Sequence, residues 1–295
     1  MPTCFLVHNP NTGSIRGVRA QHLLTGHFAA RGWDCRYTPT RSGEDLPALV
    51  RAALADDVDI CVAAGGDGTV SGAAGGLVGS DIPLAIIPLG TANGLACDMG
   101  IPPAPRRALE LVTGPHTTRP VDAIVTNDHV HLCTLGVGLT PAAMHALSPR
   151  TKKLWGRYAY ALAVLRALPH LHTTDFCLTV DGQLRTFQAS EVLLVNSLNA
   201  GAPIRRVFPG VRPDDGVLDL FVIQMNTTAE ALRVVANILA KRTHRDPSVT
   251  RLPVRQSLTI ATDQPRPAQA DGDPAGATPI TARLLPGAVR VVVPG

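Results

Sequence analysis

The hexapeptide Ala64-Gly65-Gly66-Asp67-Gly68-Thr69 follows an apolar run and precedes a stretch of helical pattern. Glycines there let the backbone turn tightly and come within hydrogen-bonding reach of a phosphate. The first amides of a following helix would point at the same anion. Gly72 comes one position late for a G-x-G-x-x-G dinucleotide fingerprint, and no Gly-Lys-Ser/Thr follows to make a P-loop. A second junction of the same kind, Pro88-Leu89-Gly90-Thr91-Ala92-Asn93, begins 23 residues after Gly65. Two more polar stretches, His8-Asn9-Pro10-Asn11-Thr12-Gly13-Ser14 and Thr40-Arg41-Ser42-Gly43, follow earlier strand patterns. If those strands run parallel, all four loops open on one edge of the sheet, where the ligand crevice of such folds lies. The Thr69 and Thr91 hydroxyls would then face a phosphate. Far along the chain, Asp271-Gly272-Asp273 offers two carboxylates for acid–base work, although composition alone makes them turn residues.

The elements that must position these loops follow from periodicity. Phe5 to Val7, Cys35 to Thr38, Asp59 to Ala64 and Leu84 to Ile87 have strand character, whereas 16–31, Glu44 to Ala55 and Gly68 to Val78 have helical character. Strands alternating with helices of about ten residues predict a parallel sheet covered on both faces. After Asp122 the pattern changes. Runs at 129–137, 174–180, 184–195, 217–224, 249–254 and 256–261 are strand-like, and helices are expected only at 152–167 and 227–240. The expected fold class is therefore α/β in two domains: an N-terminal Rossmann-like unit and a C-terminal, mainly antiparallel β unit. The first spans 1–124 and is rejoined by 283–295; the second spans 125–282. The stretch from Asp263 to Pro279 is rich in Pro, Gly and Asp; it is open to reading as a linker, a disordered loop or a working loop, and composition alone favours the first two.

Composition is consistent with a folded chain of 295 residues: 45% of them are hydrophobic, and its 27 glycines and 25 prolines show no period. Six cysteines at 4, 35, 61, 97, 133 and 177 are never closer than 26 residues, so no metal-knuckle or redox-pair spacing exists. Buried, reduced thiols of a cytoplasmic protein are expected. The first eight residues lack a basic segment and a long apolar run, and the apolar stretch 154–168 is interrupted by Gly156, Arg157 and Arg166. Neither a signal peptide nor a membrane span is expected. Residues 1–149 carry nine Lys/Arg against twelve Asp/Glu, whereas 150–255 carry fifteen against eight. That asymmetry fits either contact with an anionic surface such as lipid headgroups or a scatter of surface charge.

The chain resembles the diacylglycerol kinase catalytic-domain family, which includes bacterial lipid kinases and sphingosine kinases. The resemblance runs through Asn9-Pro10 to Gly13, Thr40, Gly65-Gly66-Asp67-Gly68-Thr69 and Pro88-Leu89-Gly90-Thr91-Ala92-Asn93. It continues in Lys153 to Tyr160, Asn196, Asp214-Asp215-Gly216-Val217-Leu218-Asp219 and Asp271-Gly272-Asp273. NAD kinases and phosphofructokinases share the Gly-Gly-Asp-Gly-Thr segment; the Gly-Thr-x-Asn loop with the Asp-Asp-Gly-x-Leu-Asp segment points to lipid kinases.

The resemblance implies catalysis between an ATP-binding domain and a β-rich lipid-binding domain. Asn9, Thr40, Gly65, Gly66, Asp67, Gly68, Thr69, Ser71 and Thr91 would hold ATP, with Mg²⁺ near Asp67. Asp215, with the carbonyls of Arg212 and Val217, would form a structural magnesium site. Asp273 would be the general base, with Asp271 the other candidate. The implied setting is a cytoplasmic protein touching a membrane surface to reach its lipid, with a homodimer among the options and no nucleic-acid partner. Three departures stand out: Asp273 replaces the family's usual Glu, Gly94 replaces the Asp that usually follows the loop asparagine, and Asn199 to Ala202 is not the usual glycine cluster. Two other readings stay open: a kinase of a soluble substrate such as NAD, and a catalytically weak lipid- or nucleotide-binding protein.

Overall fold

The computed structural model describes residues 1–12, 17–55, 57–139, 173–197, 208–240 and 242–295. The expected helix at 152–167, with its Lys153–Tyr160 start, and the Asn199–Ala202 stretch lie outside the described residues. The chain opens with alternating elements: β1 (Thr3–His8), α1 (Gly17–Ala29), β2 (Asp34–Pro39), α2 (Leu46–Ala53), β3 (Ile60–Gly65), α3 (Asp67–Leu77) and β4 (Leu84–Pro88). These are the elements that periodicity predicts. Two helices that it does not predict follow, α4 (Gly94–Asp98) and α5 (Pro105–Thr113). Strands β2, β1, β3 and β4 lie side by side in that order, all parallel. β3 and β4 are buried along their whole length, which is why their sequences are continuous apolar runs rather than alternating ones.

The rest is strand-rich: β5 (Thr117–Thr126), β6 (His129–His131), β7 (Thr134–Gly138), β8 (Thr174–Val180), β9 (Gln183–Ala189), β10 (Glu191–Val195) and β11 (Leu218–Ile223). Helix α6 (Thr228–Leu239) intervenes before β12 (Val249–Val254), β13 (Ser257–Thr262), β14 (Pro267–Ala270), β15 (Asp273–Ala277) and β16 (Ile280–Val293). One sheet continues the parallel strands as β4-β16-β13-β8-β9, with β5 pairing both β16 and β6. The second has the order β12-β11-β10-β7-β14-β15 and is antiparallel throughout.

The long strand β16 joins the two halves. Ile280 to Arg283 pair with β13, whereas Val289 to Val293 pair with β5, and Val291 pairs with Leu84 of β4. Two apolar cores meet along these strands. Ala123, Val289 and Val291 belong to the core under the parallel strands, whereas Ile124, Ile280 and Ala282 belong to the core between the two sheets.

Three sequence expectations need correction. The stretch from Asp263 to Pro279 is neither a linker nor a disordered loop. It contains the β14–β15 hairpin, which lies against β7 through the pairs Ala268–Val137, Gln269–Gly136 and Ala270–Leu135. Its small residues carry little strand signal, because a ladder partner far back in the chain, β7, supplies the order. The expected strand 129–137 is two strands, interrupted at Leu132 and Cys133, whose amides turn to a side chain instead. The expected strand 184–195 is interrupted at Ser190, where the chain passes from one sheet to the other.

Candidate active site

The carboxyl ends of β1, β2 and β3 are held level by backbone bonds: Asn9 N–H to Ala64 O (3.0 Å) and Thr40 N–H to His8 O (2.8 Å). Next to them, Leu89 and Gly90 donate their amides to Gly65 O, at 2.9 and 3.1 Å. This brings the two glycine loops into backbone contact. A Cβ built on Gly90 would lie 2.5 Å from Gly66 Cα, so no side chain fits there. Asn93, in the left-handed region at φ 49°, closes its own loop by accepting the Gly90 amide (2.9 Å) and donating to the Gly90 carbonyl (2.8 Å). Asp67 accepts the Gly94 amide at 2.8 Å, tying the first turn of α3 to the start of α4.

A cleft of about 1010 Å³ opens at this edge. Asn9, Thr40, Gly66, Gly68, Thr69 and Ser71 are among the residues that line it. The start of α3 thus borders the cleft, and its first-turn amides have no partners within the helix, which together with the helix dipole suits an anion. His131, Asp271, Gly272 and Asp273 line the cleft as well.

Asp271 and Gly272 form the two-residue turn of the β14–β15 hairpin, with φ of 50° and 95°, the backbone that makes Asp-Gly a favoured hairpin turn. The Asp271 carboxylate accepts the amides of Leu132 (3.0 Å), Cys133 (3.0 Å) and Thr134 (2.8 Å), and the Ser71 hydroxyl as well. It anchors the hairpin to α3 and to the β6–β7 junction. Asp273 is exposed, and its Oδ2 would lie 2.8 Å from a Cβ on Gly68. That carboxylate therefore stands over the first turn of α3.

Burial raises the Asp67 carboxyl to about 6, and the charge of Asp271 adds to it. The Cys133 thiol is raised by burial and then by Asp271 and Asp67. His131 is lowered mainly by burial, with Asp271 and Asp273 opposing the shift, and its Nε2 lies 2.9 Å from Thr126 Oγ1.

Two of the expected nucleotide ligands do not sit as expected. The Ser71 hydroxyl donates to Asp271 and accepts the Leu132 amide (3.1 Å), so it braces the hairpin from within the cleft lining. Thr91 is exposed and does not line the cleft. Gly65 is buried at the end of β3, directly against Thr69. Arg212, Asp215 and Val217 do not line the cleft either; they form a loop before β11. There Asp215 accepts the Val217 amide (3.2 Å), and Asp214 pairs with Arg119 and Arg212. Sequence reasoning missed Asp122, which accepts the amides of Gly216 (2.7 Å) and Gly287 (2.8 Å) and so pins that loop to β16. Its partners lie 94 and 165 residues away, beyond any local signal.

Residues 3–125 match the diacylglycerol kinase catalytic domain, and residues 135–293 match the YegS C-terminal NAD kinase beta sandwich-like domain. A diacylglycerol kinase of Mycobacterium tuberculosis is 28% identical over 294 residues, covering 97% of this chain and 93% of that protein. An uncharacterized protein of Synechocystis sp. is 29% identical over 79% of this chain, but the match spans only 54% of that longer protein. The crystal structure of a diacylglycerol kinase from Bacillus anthracis str. Sterne superposes with a TM-score of 0.78 at 26% identity, covering 98% of this chain and 96% of that one. With both halves matched in order, the chain belongs to the diacylglycerol kinase family of lipid kinases.

Proposed function

We propose that this protein transfers the γ-phosphate of ATP to a lipid hydroxyl such as that of diacylglycerol or a sphingoid base, with Asp273 as the general base. The observation that carries this reading is the Asp273 carboxylate over Gly68, at the start of α3. Phosphoryl transfer needs positioning, charge neutralisation and a group to orient the attacking hydroxyl. The first-turn amides of α3 hold the phosphates, and Asp273, which stands over that turn, accepts the hydroxyl proton. Asp271 sets the reach of Asp273 by fixing the turn between them. Asn9, Thr40 and Thr69 line the cleft where the nucleotide binds.

Mg²⁺ suits the site beside Asp67, whose carboxyl is raised first by burial and then by the Asp271 charge that a cation would offset; when bound it would neutralise phosphate oxygens. Asp215, with the carbonyls of Arg212 and Val217, fits a second, structural cation. Burial and then the charges of Asp219 and Asp122 raise its carboxyl, so added positive charge would be favourable. Among the described residues no helix is long and apolar enough to cross a membrane. The excess of Lys and Arg between 150 and 255 supports transient contact of a cytoplasmic protein with an anionic membrane. We assign nucleotide binding to 1–124 with 283–295, and lipid binding to 125–282.

The test is incubation with labelled ATP, Mg²⁺ and a panel of lipids, followed by extraction. Label in the organic phase supports the proposal and identifies the acceptor. Label only in a water-soluble product would favour a kinase of a soluble substrate. Retained ATP binding with no transfer would favour a catalytically weak binding protein, the reading that Gly94 and Asp273 suggest.

A further inference from the structure

Cys4 and Cys35 are register partners in the parallel ladder between β1 and β2. They are 31 residues apart in sequence, so spacing gives no hint of a pair. Neighbouring strands run about 4.8 Å apart, with the side chains of register partners on the same face. That separation lies within the roughly 4.4–6.8 Å between Cα atoms that a disulfide spans. Both thiols are free, and they share a hydrogen bond. That bond is the first cause holding the Cys4 thiol well above its usual range and the Cys35 thiol below it. Their access differs. Cys4 is fully buried, whereas Cys35 is half-buried on β2, the outermost strand of its sheet among the described residues.

We propose that Cys4 and Cys35 are a dithiol that a small organic disulfide such as oxidised glutathione converts to an intramolecular disulfide, with Cys35 as the entry thiol. The Cys35 thiolate attacks one sulfur of the organic disulfide, forms a mixed disulfide and releases one organic thiolate. Cys4 then loses its proton and attacks the Cys35 sulfur, expelling the second thiolate. In balance, two protein thiols are oxidised, one organic disulfide is reduced to two thiols, and the two protein protons pass to them. The bridge would lie near the start of β1, away from the cleft. At the far end of the same ladder Thr40 N–H donates to His8 O and brings Thr40 to the cleft wall. An edge strand paired on one side would thus become covalently fixed without closing the cleft.

Trypsin separates the two cysteines: residues 1–16 carry Cys4 and residues 32–36 carry Cys35. The full chain is treated with oxidised glutathione, blocked with iodoacetamide in denaturant and digested without reductant. The expected result is the two peptides joined with loss of two hydrogens, released again by dithiothreitol, and a higher melting temperature for the bridged protein. Cys177, exposed on β8, should keep a glutathionyl group and show that the oxidant acted. Cys4→Ser should stop the reaction with glutathione on peptide 32–36. Cys35→Ser should leave peptide 1–16 fully alkylated. The wild-type chain alone can decide against the proposal. Both peptides recovered alkylated while Cys177 is glutathionylated, or glutathione persisting on Cys35 of the wild type, would overturn it.

Discussion

Asp271 and Asp273 are separated by one glycine, yet their carboxylates meet different groups. Asp271 accepts three backbone amides and the Ser71 hydroxyl, whereas Asp273 is exposed over Gly68. Asp273→Asn is therefore expected to cut turnover by about a hundredfold or more, the usual worth of a positioned acid–base group. ATP affinity, read by calorimetry, should hardly change. Asp273→Glu should keep or raise turnover by restoring the reach that relatives have. Near-wild-type turnover in Asp273→Asn would place the base elsewhere. At Asp67 the carboxyl is raised from 3.8 to about 6 by burial and by Asp271. A raised acid is ionised at a cost to the folded state, so its contribution is most favourable below pH about 4 and is lost as pH rises through about 6. Asp67→Asn should thus melt higher than wild type at neutral pH, with the gap closing on acidification toward pH 4. Asp67→Ala should abolish transfer while leaving the fold intact; unchanged turnover would put the nucleotide elsewhere.

At the scale of elements, the β14–β15 hairpin is the part of the site most dependent on remote support. Its turn is local chemistry, since Asp-Gly suits two residues with positive φ. Its position is not local, because Asp271 reaches α3 and the β6–β7 junction, more than 130 residues back in the chain. Asp271→Ala leaves the Cys133 and Thr134 amides without their acceptor, and the Leu132 amide with Ser71 alone. It should cost roughly 3 kcal/mol in chemical denaturation, with turnover lost because Asp273 is no longer held over the α3 start. Asp271→Asn keeps one acceptor oxygen and tolerates the backbone, so it should be milder on stability. A dead Asp271→Asn beside a fully active Asp273→Asn would reverse the two roles. The same dependence explains what periodicity did and did not show. Strands β1, β3 and β4 and helices α1, α2 and α3 carry their own patterns, but β14 and β15 are small, polar and proline-containing. Their strand character comes from pairing with β7.

At the scale of the whole molecule, β5 and β16 bind the two halves together. Val289, Val291, Val292 and Val293 lie in the core under the parallel strands although they come last in the chain. A fragment ending at 124 would expose the face that β16 covers beside β4 and β5. It is expected to lack a cooperative thermal transition by circular dichroism. Fusion of 283–295 through a flexible linker should restore one, and a cooperative transition without that segment would show that β16 is dispensable to the first core. Asp122 adds a second tie, holding both the 212–217 loop and the β16 irregularity at Gly287.

The amino-acid sequence by itself determined the parallel half, the antiparallel character of the rest, and the two glycine loops at one sheet edge. Each of these is written in short-range patterns of apolar spacing and turn residues. The resemblance read from motifs also sufficed to reach the lipid kinase family. Only the tertiary structure decided that Ser71 braces Asp271, and that Thr91 stands outside the cleft. The same holds for Asp122, which clasps two distant loops, and for Cys4 and Cys35, which meet across neighbouring strands. These facts depend on partners dozens to hundreds of residues apart. A side chain's hydrogen bonds are set by what packing brings beside it, and that is fixed only when the sheets and cores close.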